Sequence, residues 1–447
     1  MKKLTTLLLS LSMAVLTATS QNIKEIRLDF GDDISTALGD GKYEIDSLVI
    51  TGNISHSAFS AIRDCIENGK LTGIDMHGCR VEEDSIPDGG LLIGKSFEYR
   101  NEHCIKGLTL PSSLRAIGEH ALAHLYVTGI ELPSSLRIIG ARAFEGCQQM
   151  KGTVRIPEGV ETIGRGAFYD CHKIEHVEFP ASLRTIGDFA FCGTFALKEL
   201  NFNDGLLTVG KGAFYRSSYD IKEIVFPESV EEIGDMAFYT EMDLDRLVLP
   251  PNIREIKEYT FMSCSAKEIV WPKALERMDD YAFSNFLGED LFLPEGLVTM
   301  SNNTFFDIYN VKRLVLPASI SRIGVNTFTN VSSLKEMYVK CPFPPESPVN
   351  NENYGSDYGW FNNLPDDAVL YVPVGSVEAY RCCEMFSKFK TIKETDKFPS
   401  GITEHPKYSI SVPKGTSIYT LDGRSLGSDI KALKSGVYVI NGKKVVK

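Results

Sequence analysis

A short motif recurs through the middle of this chain, and it leaves room for little except a stacked array. It consists of an apolar residue followed by Pro, then Ile-Gly a few residues on, then Ala-Phe. Full copies are Leu132-Pro133 with Ile139-Gly140 and Ala143-Phe144, and Ile156-Pro157 with Ile163-Gly164 and Ala167-Phe168. Phe179-Pro180 with Ile186-Gly187 and Ala190-Phe191, and Phe226-Pro227 with Ile233-Gly234 and Ala237-Phe238, repeat it. The prolines fall at 111, 133, 157, 180, 227, 250, 272, 294 and 317, spaced 22–24 residues apart except for one double interval. In that interval Asn203 stands where the missing Pro would be, so ten repeats result. A fixed period of this length is the signature of a solenoid, in which each unit buries its apolar face only against its neighbours.

Each column of the repeat has a physical role. The residues before Pro alternate, as in Ile224-Val225-Phe226 and Leu247-Val248-Leu249, which predicts a strand with one buried face. Pro lacks the N–H that a ladder needs and ends the strand. The column Phe144, Phe168, Phe191, Phe214, Phe238, Phe261, Phe283, Phe305 and Phe328, opened by Leu122, predicts a buried spine. The Gly column suits a turn that a side chain would strain. Lys257, Asp279 and Ser301 replace it in three consecutive repeats, so the turn is not strictly glycine-dependent or changes shape there. Cys147, Cys171 and Cys264 each lie three residues after their Phe, where a small buried side chain is expected. Cys147 and Cys171 fall in adjacent repeats, and either free thiols or a disulfide fit that spacing.

The Ile-Gly-x-x-Ala-Phe core and closing apolar-Pro, from about Leu108 to Phe328, resemble the BspA-like leucine-rich repeat family of bacterial surface proteins. The segments Leu48-Val49-Ile50-Thr51-Gly52 and Leu71-Thr72-Gly73-Ile74-Asp75 resemble its N-terminal capping repeats. Ala368 to Tyr380 resembles the usual end of the array. The resemblance implies a right-handed leucine-rich repeat solenoid with a parallel β-sheet and short turns or helical pieces. It also implies a surface location, adhesion or host-component binding, and no catalysis. The expected organisation is a signal peptide over 1–20, capping repeats over 21–107, and the solenoid over 108–340. A C-terminal cap follows over 341–395, then a linker and small all-β unit over 396–447. In that last segment Asp422-Gly423 and Asn441-Gly442 are tight-turn signals between alternating runs. Gly436-Val437-Tyr438 and the ending Lys443 to Lys447 resemble a type IX secretion sorting domain.

Lys2 and Lys3, the apolar stretch Leu4 to Leu16 and the small residues Ala18-Thr19-Ser20 read as a secretory leader. The apolar stretch is too short to span a bilayer, so no transmembrane segment is expected in the mature chain. The net charge of −12, without a basic stripe, argues against nucleic acid as a partner. No nucleophile elbow, P-loop or dinucleotide fingerprint occurs, so no catalytic residue and no cofactor are expected. His120 and His124, and His172 and His176 beside Cys171, are each four apart, half of a possible metal site. Neither pair has further ligands at a recognisable spacing, and no metal is expected.

The column two residues before each Pro should point away from the core. It reads Thr109, Glu131, Arg155, Glu178, Asn201, then Val225, Val248, Val270, Phe292 and Val315, with Tyr338 on the next strand. Polar in its first half, it turns apolar in its second, over roughly 25 Å at strand spacing. Beside it run Glu223, Arg246, Glu268, Asp290 and Arg313. An apolar ladder rimmed by charge suits a partner site, although Val also simply favours strands and the C-terminal cap could fold over it. The expected function is a non-catalytic surface or secreted binding scaffold for a protein or glycan, such as host matrix. A structural subunit of a surface assembly is the first rival, and a surface hydrolase the weaker one.

Overall fold

The computed structural model of the chain describes residues 22–92, 105–284, 286–347 and 360–399, together with the backbone of four short strands between 418 and 446. Residues 1–20, where a leader is expected, Cys104 and most of the terminal segment lie outside the described residues. The chain divides into two compact units, residues 1–401 and 402–447.

The first unit is a parallel β-solenoid. It starts with the strands Ile23–Leu28, Ser47–Ile54, Gly73–Asp75 and Gly107–Thr109, which pair in parallel in that order. The helix Ala58–Asn68 crosses between them and buries Ala58, Phe59, Ile62, Cys65 and Ile66. That spacing keeps one stripe of the helix on the core. Pro-terminated strands then follow turn by turn. Glu223–Val225, Met242–Val248 and Cys264–Val270 form one three-stranded sheet. Asp290–Phe292, Arg313–Leu316 and Glu336–Val339 begin another, which continues through Val369–Pro373 and Thr391–Thr395.

The Phe column is the spine. From Phe144 to Phe328 each ring stacks on the next with centroids 5.1–6.1 Å apart and planes within 18° of parallel. Phe361, in the closing segment, adds one more ring at 5.7 Å from Phe328. All are at most 3% exposed. Burying a side chain of this size is worth about 1.5–3 kcal/mol, so the column is a main source of cohesion along the stack.

The Ile-Gly segment forms a second parallel ladder. Two-residue strands from Ser85–Ile86 to Glu232–Ile233 make a seven-stranded sheet, and Glu255–Ile256 to Arg322–Ile323 make a four-stranded one. The Gly residues of this column do not have left-handed backbones. They are glycines because turns touch: a Cβ on Gly164 would sit 2.6 Å from the backbone of Gly140, and one on Gly234 would sit 2.5 Å from Lys211 N. Each Gly N–H donates to the aliphatic carbonyl of the preceding turn, as Gly164 does to Ile139 at 3.1 Å. Among the described residues this bond is missing at Lys257, and the sheet breaks at that step. Asp279 and Ser301 recover the bond, at 2.9 Å each, so only the first replacement opens the ladder.

The left-handed position lies two residues further on. His120, Arg142, Gly166, Phe189, Gly212, Met236, Tyr259, Tyr281, Asn303 and Asn326 all have φ between 52° and 60°. Only two of the ten are glycine, although this conformation costs other residues roughly 1–2 kcal/mol. Hydrogen bonds into the next turn hold it, as from Phe189 N to Lys211 O at 2.8 Å and Arg142 N to Arg165 O at 2.7 Å.

The second unit holds the antiparallel strands Ile418–Thr420, Ser425–Gly427, Val437–Ile440 and Lys443–Val446. Its sheet is a small all-β unit of the kind the turn signals indicate.

Candidate functional site

The face of the Pro-terminated strands carries the residues singled out in the sequence. Parallel register puts Glu223, Arg246 and Glu268 in one row and Val225, Val248 and Val270 in the next. Asp290, Arg313 and Glu336 form a second charged row, with Phe292, Val315 and Tyr338 beside it. Among the described residues no strand pairing joins Cys264–Val270 to Asp290–Phe292, so the expected ladder is two shorter ones. Between them Phe286 is buried and Leu287 N donates to Ala266 O at 2.9 Å.

The charged rows are internally paired. Arg246 bridges Glu223 at 3.0 Å and Glu268 at 3.7 Å. Arg313 bridges Asp290 at 3.3 Å and Glu336 at 3.1 Å. Exposed pairs of this kind contribute only about 0–1 kcal/mol to stability, so each Arg is held in place without being essential to the fold.

The apolar column requires a correction. Val248, Val270 and Val315 are only 6%, 4% and 2% exposed, whereas Val225, Phe292 and Tyr338 are half-buried. The three valines are buried without joining the central core. Within the ladder Val248 and Val315 have the same column on both sides and Val270 has it on one, with the paired charges on one flank and a proline on the other. Val225 and Phe292 stand on edge strands, but so does the buried Val270, so strand position alone does not set exposure. The accessible part of the surface is therefore the charged rows and the aromatic end. There Tyr338 stacks on Tyr371 at 4.6 Å, and Phe398 packs edge-on against Tyr338 at 6.5 Å. Phe398 lies beyond the last strand of the array, so the chain leaving the solenoid returns over this face. Sequence reading passed over Tyr371, although it occupies the Tyr338 column one strand on.

The histidines of each pair have carboxylate or aromatic neighbours of their own. His120 and His124 lie in turns with left-handed backbones rather than on a helix. His120 Nδ1 is 3.0 Å from Glu145, and burial holds His124 below the usual histidine range. His176 pairs with Glu199 at 3.2 Å, while His172 packs on Phe195 at 4.9 Å. Among the described residues no group of three or more His, Cys, Asp or Glu is arranged to hold a metal. Cys147 and Cys171 are buried free thiols that donate to the Leu122 and Phe144 carbonyls at 3.2 and 3.1 Å. Burial pushes the Cys264 thiol up to about 12, which suits a core filler rather than a nucleophile.

The family model of the BspA type leucine rich repeat region matches residues 92–220 and 207–335, in six copies, more than half of the chain. No curated protein matches the chain significantly. Among solved structures, a leucine-rich repeat protein from Bacteroides ovatus is similar at 25% identity. That match covers 56% of this chain and 69% of the other, with a TM-score of 0.38. The pneumococcal vaccine antigen PcpA is similar at 16% identity over 85% of this chain and 96% of its own, with a TM-score of 0.40. A leucine rich cell surface protein from Faecalibacterium prausnitzii is similar at 15% identity over 85% and 89%, with a TM-score of 0.34. Among the described residues no helix is long and apolar enough to cross a membrane.

Proposed function

Because the chain belongs to the BspA-type leucine-rich repeat family, we propose that it is a non-catalytic binding scaffold, exported and displayed at the cell surface. Its partner is a protein or glycan met outside the cell, such as host matrix, and the contact surface is the face of the Pro-terminated strands. The observation that carries this reading is the pair of arginine-centred rows, Glu223–Arg246–Glu268 and Asp290–Arg313–Glu336. They set oriented charge beside the half-buried Val225, Phe292 and Tyr338 on a rigid stack. Charge beside partly apolar area is the composition of an interface rim. The leader and the sorting-like terminal unit account for the route: export, then retention at the surface.

Capture by immobilised chain from host-matrix and envelope fractions tests the surface. Arg246→Glu with Arg313→Glu is expected to reduce capture by at least about tenfold, because each reversal leaves like charges together at the contact. Melting should move little, since surface changes of this kind stay within about half a kcal/mol. Glu131→Lys and Glu178→Lys, on the polar half of the column that holds Val225, are expected to leave capture near the parent level. Equal capture by the arginine variant and the parent would remove this face from the reading.

A further inference from the structure

A second surface, on the turns that carry the Ala-Phe motif, holds an aromatic row the strand face does not use. Tyr215, Tyr239, Tyr259, Tyr281 and Phe306 come from five successive repeats, and each ring centroid lies 5.1–6.5 Å from the next. The four tyrosines are half-buried and Phe306 is 37% exposed. Met236 and Met262 lie in the same two columns and are also half-buried. Tyr, Met and Phe are the residues that interface cores favour, and this row presents them along roughly 20 Å.

The charges beside this row set it apart from stray surface aromatics. Tyr259 and Tyr281 occupy the left-handed turn position, with φ of 56° and 55°, which glycine fills at 166 and 212. Non-glycine residues fill that position in eight of the ten repeats, so the turn accepts these rings. The residues immediately preceding Met236, Tyr259 and Tyr281 are Asp235, Glu258 and Asp280. Asp235 has Lys211 at 3.8 Å, but among the described residues neither Glu258 nor Asp280 has an ion-pair partner. The Tyr259 hydroxyl is held above the usual tyrosine range by burial and then by Glu258, Tyr281 and Asp280, which is consistent with a negative field along the row. The cations near this stretch are Arg216 at the Tyr215 end, Lys211, and Lys257, which is paired with Glu232.

We propose that the row Tyr215–Tyr239–Tyr259–Tyr281–Phe306, with Glu258 and Asp280 beside it, is a docking ridge for an extended basic polypeptide. Apolar side chains of the partner pack on the rings and methionines, and its Lys or Arg side chains meet the unpaired carboxylates. About six extended residues span the ridge at about 3.3 Å per residue.

The test uses the full chain and a dye-labelled peptide of about twelve residues that alternates Arg with Leu and Ser, read by fluorescence anisotropy. Tyr259→Gly with Tyr281→Gly removes two rings while keeping a residue this turn accepts, and is expected to weaken binding at least about tenfold. Glu258→Gln with Asp280→Asn preserves shape and the Asp280 acceptor for Asn302 N, and is expected to weaken binding several-fold and flatten its salt dependence. Arg246→Glu with Arg313→Glu should leave peptide affinity unchanged, which separates this ridge from the strand face. Equal affinity for the ring-deleted chain would reduce the effect to attraction by the net charge and overturn the proposal. So would equal binding of a peptide with Glu in place of Arg, or binding of a neutral β-linked oligosaccharide but not of the peptide.

Discussion

Phe214→Ala is expected to lower stability by about 3–5 kcal/mol, the usual cost of removing a fully buried ring. Phe214 is 0% exposed, stacks on Phe191 at 5.5 Å and on Phe238 at 5.3 Å, and meets Phe202 edge-on at 6.0 Å. Its loss leaves a gap in the middle of a column that no other side chain in the repeat can fill. In a quasi-one-dimensional stack the weakened interface lies between two blocks, so unfolding should begin there and broaden rather than shift as one step. Thermal and urea unfolding followed by circular dichroism would show this. Phe306→Ala, at a 37% exposed position next to the spine, is the control and should cost about 1 kcal/mol or less. Parent-like melting of Phe214→Ala would mean that the column does not carry the stack.

The second large effect is expected from Val248→Glu. An outward strand position on an open face would accept this change, but Val248 is 6% exposed and lies in register between Val225 and Val270. A carboxylate there loses its hydration and has the paired charge row on one side only. The expected cost at neutral pH is at least about 2 kcal/mol. Desolvation raises the folded-state pKa of such a Glu above its ordinary value of about 4.3. The sign follows: the penalty is full at pH above the folded value, shrinks as pH falls through it, and is gone below about 4. Unfolding midpoints of parent and variant should therefore converge as the pH is lowered from 7 to 4. A variant as stable as the parent at pH 7 would mean that this column is open to solvent.

Much of the fold was legible because the repeat is so regular. The Phe column, the Pro-terminated strands and the antiparallel terminal unit all followed from period, alternation and turn chemistry. Other features left no such trace. A two-residue strand such as Thr162–Ile163 is too short to alternate, so the second ladder was invisible as strand. Gly164 was legible as a tight place, but its reason is contact between turns and not backbone handedness. The left-handed position was hidden by its occupants, since Arg142, Phe189 and Tyr259 give no hint of such a backbone. On the candidate strand face, alternation gave the direction of Val248 and Val315 correctly but not their exposure. Exposure depends on neighbours across strands, and the break before Asp290–Phe292 leaves no trace in a period that stays fixed.

At the centre of this account is one unbroken stack, rigid enough to present binding surfaces in fixed register. Its most direct test is amide hydrogen exchange along the Phe column. Phe144, Phe168, Phe191 and Phe214 donate to the Ala carbonyl of the next repeat at 2.8 Å. Phe238 and Phe261 continue the series, to the Thr260 and Ala282 carbonyls at 2.9 and 3.0 Å, on either side of Lys257, where the short-strand ladder is broken. If the stack is continuous, these amides exchange only by sub-global opening, with protection alike within about tenfold from Phe144 to Phe305. Rapid exchange at two or more consecutive members, above all at Phe238 and Phe261, would contradict it and divide the array into independent blocks.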